Sequence, residues 1–311
     1  MMAAAVVAGA GESKGAETKN VLTFRTFCWN VLSPQYTHAL QGYRNDVLSD
    51  RMFRVWGTIL DLAIGTDAVI MLQEMSVSWA PWFEEQFEKQ GYTVLYNPRG
   101  LGKRAHLGTL VAVRERDYEF MLREQHRVKG CTNVLTCMVV QHRKTKRHVA
   151  FASYHAPLKL GDIERRAENI EGMAKWIVDA QLRHPTTTFV FGGDFNTKPT
   201  CVDAAERVVH KTMPELGFVR DMSDTSPTTA ARVGKPGSDA SEWTRFCDKL
   251  DYTFVKPDST TSVDIWSAVT GCKHPVEKDG ADVLPTEEWP SDHLAVTSIV
   301  TLTDDTCVVE S

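Results

Sequence analysis

Six short runs rich in β-branched and aromatic residues are spread from residue 21 to residue 302, and each carries Asn, Gln, Glu, Asp or His at one end. VLTFRTFCW stops at Asn30, DAVIML at Gln73-Glu74, HVAFASY at His155, and TTTFVFGG at Asp194-Phe195-Asn196. KLDYTFV holds Asp251 near its start, and HLAVTSIVTL opens at His293, just after Ser291-Asp292. Runs of this kind read as strands, some buried on both faces. They recur along the whole chain with helical segments between them and no shift in composition. One α/β domain therefore fits better than two.

The intervening segments support that architecture. Leu48, Met52, Val55, Ile59 and Ala63 fall at helical spacing within 46–64, and Ile163, Ala167, Ile170, Ala174 and Ile177 within 161–182. Residues 79–90 and 201–215 also read as helices. LGTLVAVRE (107–115) and NVLTCMVVQ (133–141) add two strands, and the basic turn RKTKR joins the second of these to HVAFASY as an exposed hairpin. Segments 222–240 and 271–291, rich in turn-forming residues or proline, read as long loops. Residues 1–20 are small and polar, a disordered leader. The catalytic domain is expected over 21–303, with 304–311 as a tail.

Bulk properties narrow the function. The net charge of -5, from 35 basic and 40 acidic residues, argues against a protein that coats nucleic acid non-specifically. Seven cysteines without a CxxC pair argue against a zinc site or a disulfide framework and for a reducing compartment. The leader lacks the features of a secretory signal, and no apolar run reaches the roughly 20 residues needed to span a membrane. A cytoplasmic location is expected, with a nuclear one also open.

If the six strand ends converge, they bring together four carboxylates (Glu74, Asp194, Asp251, Asp292), two carboxamides (Asn30, Asn196) and two imidazoles (His155, His293). Clustered acids repel unless a cation is present. An oxygen and nitrogen donor set without thiolate suits a hard ion, Mg²⁺ or Mn²⁺. The natural chemistry is metal-assisted hydrolysis of a phosphate ester, and no GxxxxGK[ST] loop points to P-loop chemistry.

The ordered motifs CWN, LQE, SYH, GGDFN, LDY and PSDH resemble the endonuclease/exonuclease/phosphatase superfamily over about residues 22–302. CWNVLSPQY, a following helix with Arg51 and Arg54, then DAVIMLQEM, KLDYTFV and LPTEEWPSDHLAV look like the branch of the carbon catabolite repression deadenylases, nocturnin and Angel. HAPLKLGDIERRAENIEGM is similar to the nocturnin His-Leu-Lys segment and helix, with Tyr154-His155-Ala156 where the branch has Thr-His-Leu.

The resemblance implies a four-layer sandwich, two mixed β-sheets flanked by α-helices. It implies that Glu74 is the principal metal ligand, helped by Asn30, with Asp194, Asn196 and Asp292 as further candidates for one or two ions. Asp194 would activate the attacking water, and Asn196 would hold the phosphate or a second metal. His155 would stabilise transition-state charge. Asp251 and Asp292 would orient neighbouring groups or metal-bound water, and His293 would contact the scissile phosphate with Asp292 beside it. The implied activity is a 3′–5′ exoribonuclease removing poly(A). Alternatives sharing the site are a nocturnin-like 2′-phosphatase on NADP(H), a 2′-phosphodiesterase and an RNA-end phosphatase. A non-catalytic scaffold would have lost a metal ligand or the final His, and this chain keeps both.

Phe246 lies five residues before Asp251, where the deadenylases place a base-stacking Phe; a loop anchor is the other reading. Trp243 is a second platform or a buried anchor. Arg99, Lys103 and Arg104 form a basic cluster, either phosphate-facing or solvated, and Lys159 resembles nocturnin's phosphate-binding lysine. Arg165 and Arg166 read as an exposed helix face, and Trp56, Met71 and Met75 as core. His38, His106 and His274 receive no role. Expected partners are an RNA 3′ end or an adenine-containing nucleotide. A deadenylation-complex partner would dock by a surface other than a leucine-rich-repeat arm, which the chain lacks.

Overall fold

Alternation along the central strands decides the layering. In β1 (Val21–Asn30), Leu22, Phe24 and Cys28 face one way while Phe27 and Trp29 face the other, and both sets are buried. β2 (Val69–Ser76) repeats the pattern, with Val69 and Met71 on one face and Ile70 and Leu72 on the opposite one. Strands buried on both faces need cover on both sides, which a period of two supplies.

The computed structural model describes residues 20–34, 48–98, 107–127, 134–157, 163–221, 226–233, 244–270 and 289–304. The remaining strands are β3 (Tyr92–Pro98), β4 (Leu107–Arg114), β5 (Tyr118–Arg127), β6 (Val134–His142), β7 (His148–His155), β8 (Thr187–Asp194), β9 (Thr229–Val233), β10 (Thr244–Asp248), β11 (Asp251–Lys256), β12 (Thr261–Thr270) and β13 (Ala295–Asp304). One sheet has the order β12-β13-β1-β2-β4-β3 and the other β11-β8-β7-β6-β5, while β9 and β10 pair as a separate hairpin. Both large sheets are mixed: β1 runs parallel to β2 and β7 parallel to β8, and the other pairs are antiparallel.

Three cores follow. Helices α1 (Leu48–Leu62) and α2 (Ala80–Lys89) cover the first sheet through Val55, Ile59, Phe83 and Phe87. Helix α3 (Ile163–Arg183) covers the second sheet through Ile170, Met173 and Ile177, joined by α4 (Ala204–Arg207), which continues through a π-helical turn at Val208–Thr212 into α5 (Met213–Glu215). Met71, Met138, Phe151 and Val190 fill the space between the sheets. This is the expected four-layer α/β sandwich.

Two expectations change. Five strands, β3, β5, β9, β10 and β12, were not legible. In β5 the stretch Glu119–Arg123 is exposed on both faces, so no alternation marks it, and β9 falls inside the segment expected to be loop. Residues 305–311 and almost all of the expected leader lie outside the described residues, as does most of 271–291.

The glycines of FGGD do not turn the chain, because both lie in β8 and neither takes a positive φ. They permit close approach. A Cβ on Gly193 would sit 1.9 Å from the Tyr154 carbonyl oxygen of β7, and one on Gly192 would meet Met71 Cε at 2.9 Å and Cys28 Sγ at 3.0 Å. Side-chain ends yield more readily than a paired strand. Gly193→Ala is expected to cost roughly 3 kcal/mol or more and Gly192→Ala about 1–2 kcal/mol, read by urea unfolding. Equal costs would contradict this account of the pair.

Candidate active site

Register brings the polar strand ends to one edge. Asn30 pairs with Gln73 across β1 and β2, His155 with Asp194 across β7 and β8, and Asp251 with Asp194 across β8 and β11. Beneath that edge the two sheets are joined by buried polar bonds. Gln73 Nε2 donates to Ser153 Oγ at 2.9 Å, and Ser153 Oγ donates to the Leu72 carbonyl at 2.8 Å.

Glu74 reaches the edge through a break in its strand. Leu72 faces the outer core and Gln73 faces inward, so a regular strand would send Glu74 outward. Instead Glu74 takes φ 56, and the pairing with β4 shifts register between Leu72 and Met75. A bulge of this kind re-aims a side chain. Glu74 Oε1 then accepts from Asn30 Nδ2 at 3.2 Å and Oε2 from the Ser33 amide at 2.9 Å.

Asn30 joins the two sheets' carboxylates. Its Nδ2 also donates to Asp194 Oδ2 at 3.1 Å, and its Oδ1 accepts from the Leu32 amide at 3.0 Å. His155 Nε2 stands 3.7 Å from both Glu74 Oε1 and Asp194 Oδ2. Across Asp194, His293 Nε2 is 3.7 Å from Oδ2, while His293 Nδ1 donates to Asp251 Oδ2 at 2.8 Å. The hydrogen-bond partner of the His293 ring is thus Asp251, at the start of β11 in the other sheet, rather than its chain neighbour Asp292.

Asn196 is brought in by a tight turn just after β8. It takes φ 51, its amide donates to Asp194 Oδ1 at 2.8 Å, and its Nδ2 donates to the Ala156 carbonyl at 2.9 Å. Phe195 between them is fully buried in the core under α3. Arg166 corrects the reading of an exposed helix face. It is buried, with Nη1 donating to the Asn196 carbonyl and Nε to the Pro157 carbonyl at 3.1 Å. Only spacing on α3 distinguishes it from Arg165, and that spacing places it beside buried Ala167 and Ile170.

Other supports carry no signal in sequence. Ser291 Oγ donates to the Asn30 carbonyl at 2.6 Å and accepts from the His293 amide at 3.2 Å. Thr228 Oγ1 accepts from the amides of Leu250 and Asp251 at 2.9 and 3.1 Å. Thr228 roots the β9–β10 hairpin, in which Phe246 pairs with Ala231. Arg99, Lys103, Lys159 and Trp243, with Arg104, lie outside the described residues, as do His38, His106 and His274.

The electrostatics are those of crowded, buried acids. Burial raises Glu74, and the Asp292 charge raises it further. Burial also raises Asp194 and Asp292, with the Asp251 charge adding to both and His293 opposing. For His293 burial lowers the pKa, but Asp251, Asp194 and Asp292 outweigh it, so the imidazolium is held well above its ordinary range. Asp251 Oδ1 and Asp292 Oδ1 are buried without a hydrogen-bond partner among the described residues.

A hard divalent cation fits this donor set. It would meet the orphaned Asp292 oxygen and relieve the repulsion that Asp292 exerts on Glu74. Asp194, Asp251 and His293 each offer a ligand atom within 4.8 Å of the others. Because His293 Nδ1 is engaged by Asp251, the Glu74 side is the better place for a cation.

The stability sign follows. A carboxylate with a raised folded pKa contributes stability at low pH that is lost as pH rises through the folded value, and a raised His behaves the same way. Metal-free protein should therefore lose stability as pH rises from about 4, the usual carboxylate value, through the raised Asp194 value of about 7. Mg²⁺ should restore more at pH 8 than at pH 5. Thermal melts in EDTA and in Mg²⁺ test this; a Mg²⁺ shift that is absent or independent of pH would contradict it.

Among solved structures, ANGEL2, a 2′,3′-cyclic phosphatase, matches with a TM-score of 0.71 at 16% identity, over 93% of this chain and 99% of that one. The human nocturnin catalytic domain matches at 0.63 and 15%, over 92% and 97%. D. rerio TDP2 complexed with single-strand DNA product matches at 0.62 and 15%, over 89% and 98%. Identities this low speak for a shared fold. No match was found among curated protein sequences. The Endonuclease/Exonuclease/phosphatase family matches residues 28–293, a span from the strand that delivers Asn30 to His293 itself. With that span, this fold and these strand ends, the chain belongs to the Endonuclease/Exonuclease/phosphatase family of hydrolytic phosphoesterases.

Proposed function

We propose that the chain is a Mg²⁺- or Mn²⁺-dependent phosphodiester hydrolase acting on nucleotides, and within that class a 3′–5′ exoribonuclease that removes poly(A). The observation carrying the hydrolase reading is the meeting of Glu74, Asp194 and His155 around Asn30, with the Asp251–His293 pair on the far side of Asp194.

Glu74 would hold the cation, with Asn30, Asp194, Asn196 and Asp292 as further ligand candidates for one or two ions. Once bound, the ion supplies Lewis-acid polarisation of the phosphate and an activated water. The remaining work falls to the side chains. Asp194 accepts the proton of the attacking water at a carboxylate oxygen; its raised pKa brings it nearer the range a general base needs. His155 donates from Nε2 to a phosphate oxygen as charge grows there. Asp251 fixes the ring of His293 through Nδ1, which turns Nε2 toward Asp194 and the cleft. Held cationic, His293 offsets phosphate charge. Asn196 uses Nδ2 on Ala156, which makes Oδ1 its atom for a cation.

The adenine preference is supported by Phe246 in the β9–β10 hairpin, since an aromatic face suits an unstacked base. Arg99, Lys103, Lys159 and Trp243 complete the proposed substrate contacts. An RNA-end phosphatase is the second reading. It is supported by the similarity to ANGEL2, a 2′,3′-cyclic phosphatase also solved with adenosine-2′,3′-vanadate.

Purified protein with Mg²⁺ or EDTA should be offered 5′-labelled RNA ending in A, the same RNA ending in U, RNA ending in a 2′,3′-cyclic phosphate, and NADPH. Stepwise shortening confined to the A tail is the expected result. Ring opening alone would favour the second reading, and phosphate release from NADPH a nocturnin-like activity. Glu74→Ala should lower turnover on the preferred substrate by at least about 100-fold, in line with loss of a metal ligand or its support; undiminished turnover would end the catalytic proposal. Phe246→Ala should lose about 1–3 kcal/mol of preference for A over U tails, with hydrolysis of a base-free phosphodiester little changed. Equal losses on both would remove the stacking role.

A further inference from the structure

Arg51 lies in the first turn of α1 and is fully buried. A buried guanidinium needs acceptors, and this one finds them on two segments that also border the site. Nη1 donates to the Val31 carbonyl at 2.9 Å and to the Pro290 carbonyl at 3.2 Å, and Nη2 donates to the Leu32 carbonyl. The guanidinium lies over the Trp79 ring, 4.5 Å from its centroid.

Both segments act directly on site residues. Leu32 takes φ 55, a backbone state that a bulky side chain resists, and its amide donates to Asn30 Oδ1. The next amide, Ser33, donates to Glu74 Oε2. On the other side, Pro290 leads into Ser291, which bonds both the Asn30 carbonyl and the His293 amide. One planar fork thus spans the strained turn that holds Glu74 and the segment that delivers Asp292 and His293.

We infer that Arg51 is a positioning residue for the metal-binding side of the site, setting Glu74 and Asp292 at their mutual spacing without touching substrate. The inference rests on the reading of Glu74 as a cation ligand. Lysine cannot replace Arg51, because a point charge does not reproduce a fork aimed at several carbonyls.

The test uses the full chain, Mn²⁺ titrated by calorimetry and hydrolysis of bis(p-nitrophenyl) phosphate. Arg51→Lys, folded by circular dichroism, should weaken Mn²⁺ binding and lower kcat by about tenfold or more, with KM little changed. Ile177→Ala, a core truncation under α3, should lower the melting temperature while leaving Mn²⁺ affinity intact. A lower melting temperature for Arg51→Lys with unchanged Mn²⁺ affinity and kcat would overturn the inference, as would no effect at all. Should Arg51→Lys fail to fold, Arg51→Gln takes its place; failure of both to fold would make Arg51 a folding residue and overturn the inference. Wild-type protein that binds no Mn²⁺ would instead bring down the underlying reading of Glu74.

Discussion

Carboxylates crowded into a buried sheet edge are the constraint on which the rest of the molecule depends. Glu74, Asp194 and Asp292 are each held above the ordinary carboxylate range, with Asp251 adjacent. Left to electrostatics, such a group would spread apart or neutralise. The fold opposes this with donors placed between the acids. Asn30 Nδ2 bridges Glu74 and Asp194, backbone amides of Ser33 and Asn196 serve each, and two imidazoles stand alongside. Those donors hold only if the two sheets keep register, and the Gln73–Ser153–Leu72 bonds join them directly below.

Three of the six non-glycine residues with positive φ among the described residues lie at the same place. Leu32, Glu74 and Asn196 all adopt positive φ, and each either presents a site side chain or supplies its hydrogen bond. Such conformations persist where surroundings over-determine them. Here Arg51 grips Leu32, Arg166 grips Asn196, and the indoles of Trp29 and Trp289 both donate to the His293 carbonyl, at 2.8 and 2.6 Å. Strain and charge are therefore met by one shell of buried aromatic and guanidinium groups.

That shell explains what was legible in the sequence and what was not. The site residues stood out because an apolar strand that ends in Asn, Asp or His is an anomaly in a simple pattern. The central strands were legible because both faces are apolar. β5 and β9 were not, since their residues follow no alternation and backbone pairing alone marks them. Arg51 and Arg166 look like ordinary surface residues in a sequence, and only the converging carbonyls give them a reason to be buried. Adjacency is also no guide to pairing: Asp292 precedes His293 in the chain, yet a side-chain hydrogen bond between the two sheets ties the imidazole to Asp251. The paired glycines serve, by their small size, the close packing of β8 against β7 and the inter-sheet core, a demand that no sequence pattern announces.

The β9–β10 hairpin is tied to the candidate site through its root. Its root, Thr228, is fully buried. Thr228 gives its amide to the Asp248 carbonyl and its carbonyl to the Leu294 amide, and its hydroxyl accepts from Leu250 and Asp251. Thr229 pairs with His293 and donates to the Asp292 carbonyl at 2.9 Å. The segment carrying Phe246 therefore grows from the same backbone that aims the Asp251–His293 pair. The hairpin root and the Asp251–His293 pair are in this way braced by one set of hydrogen bonds.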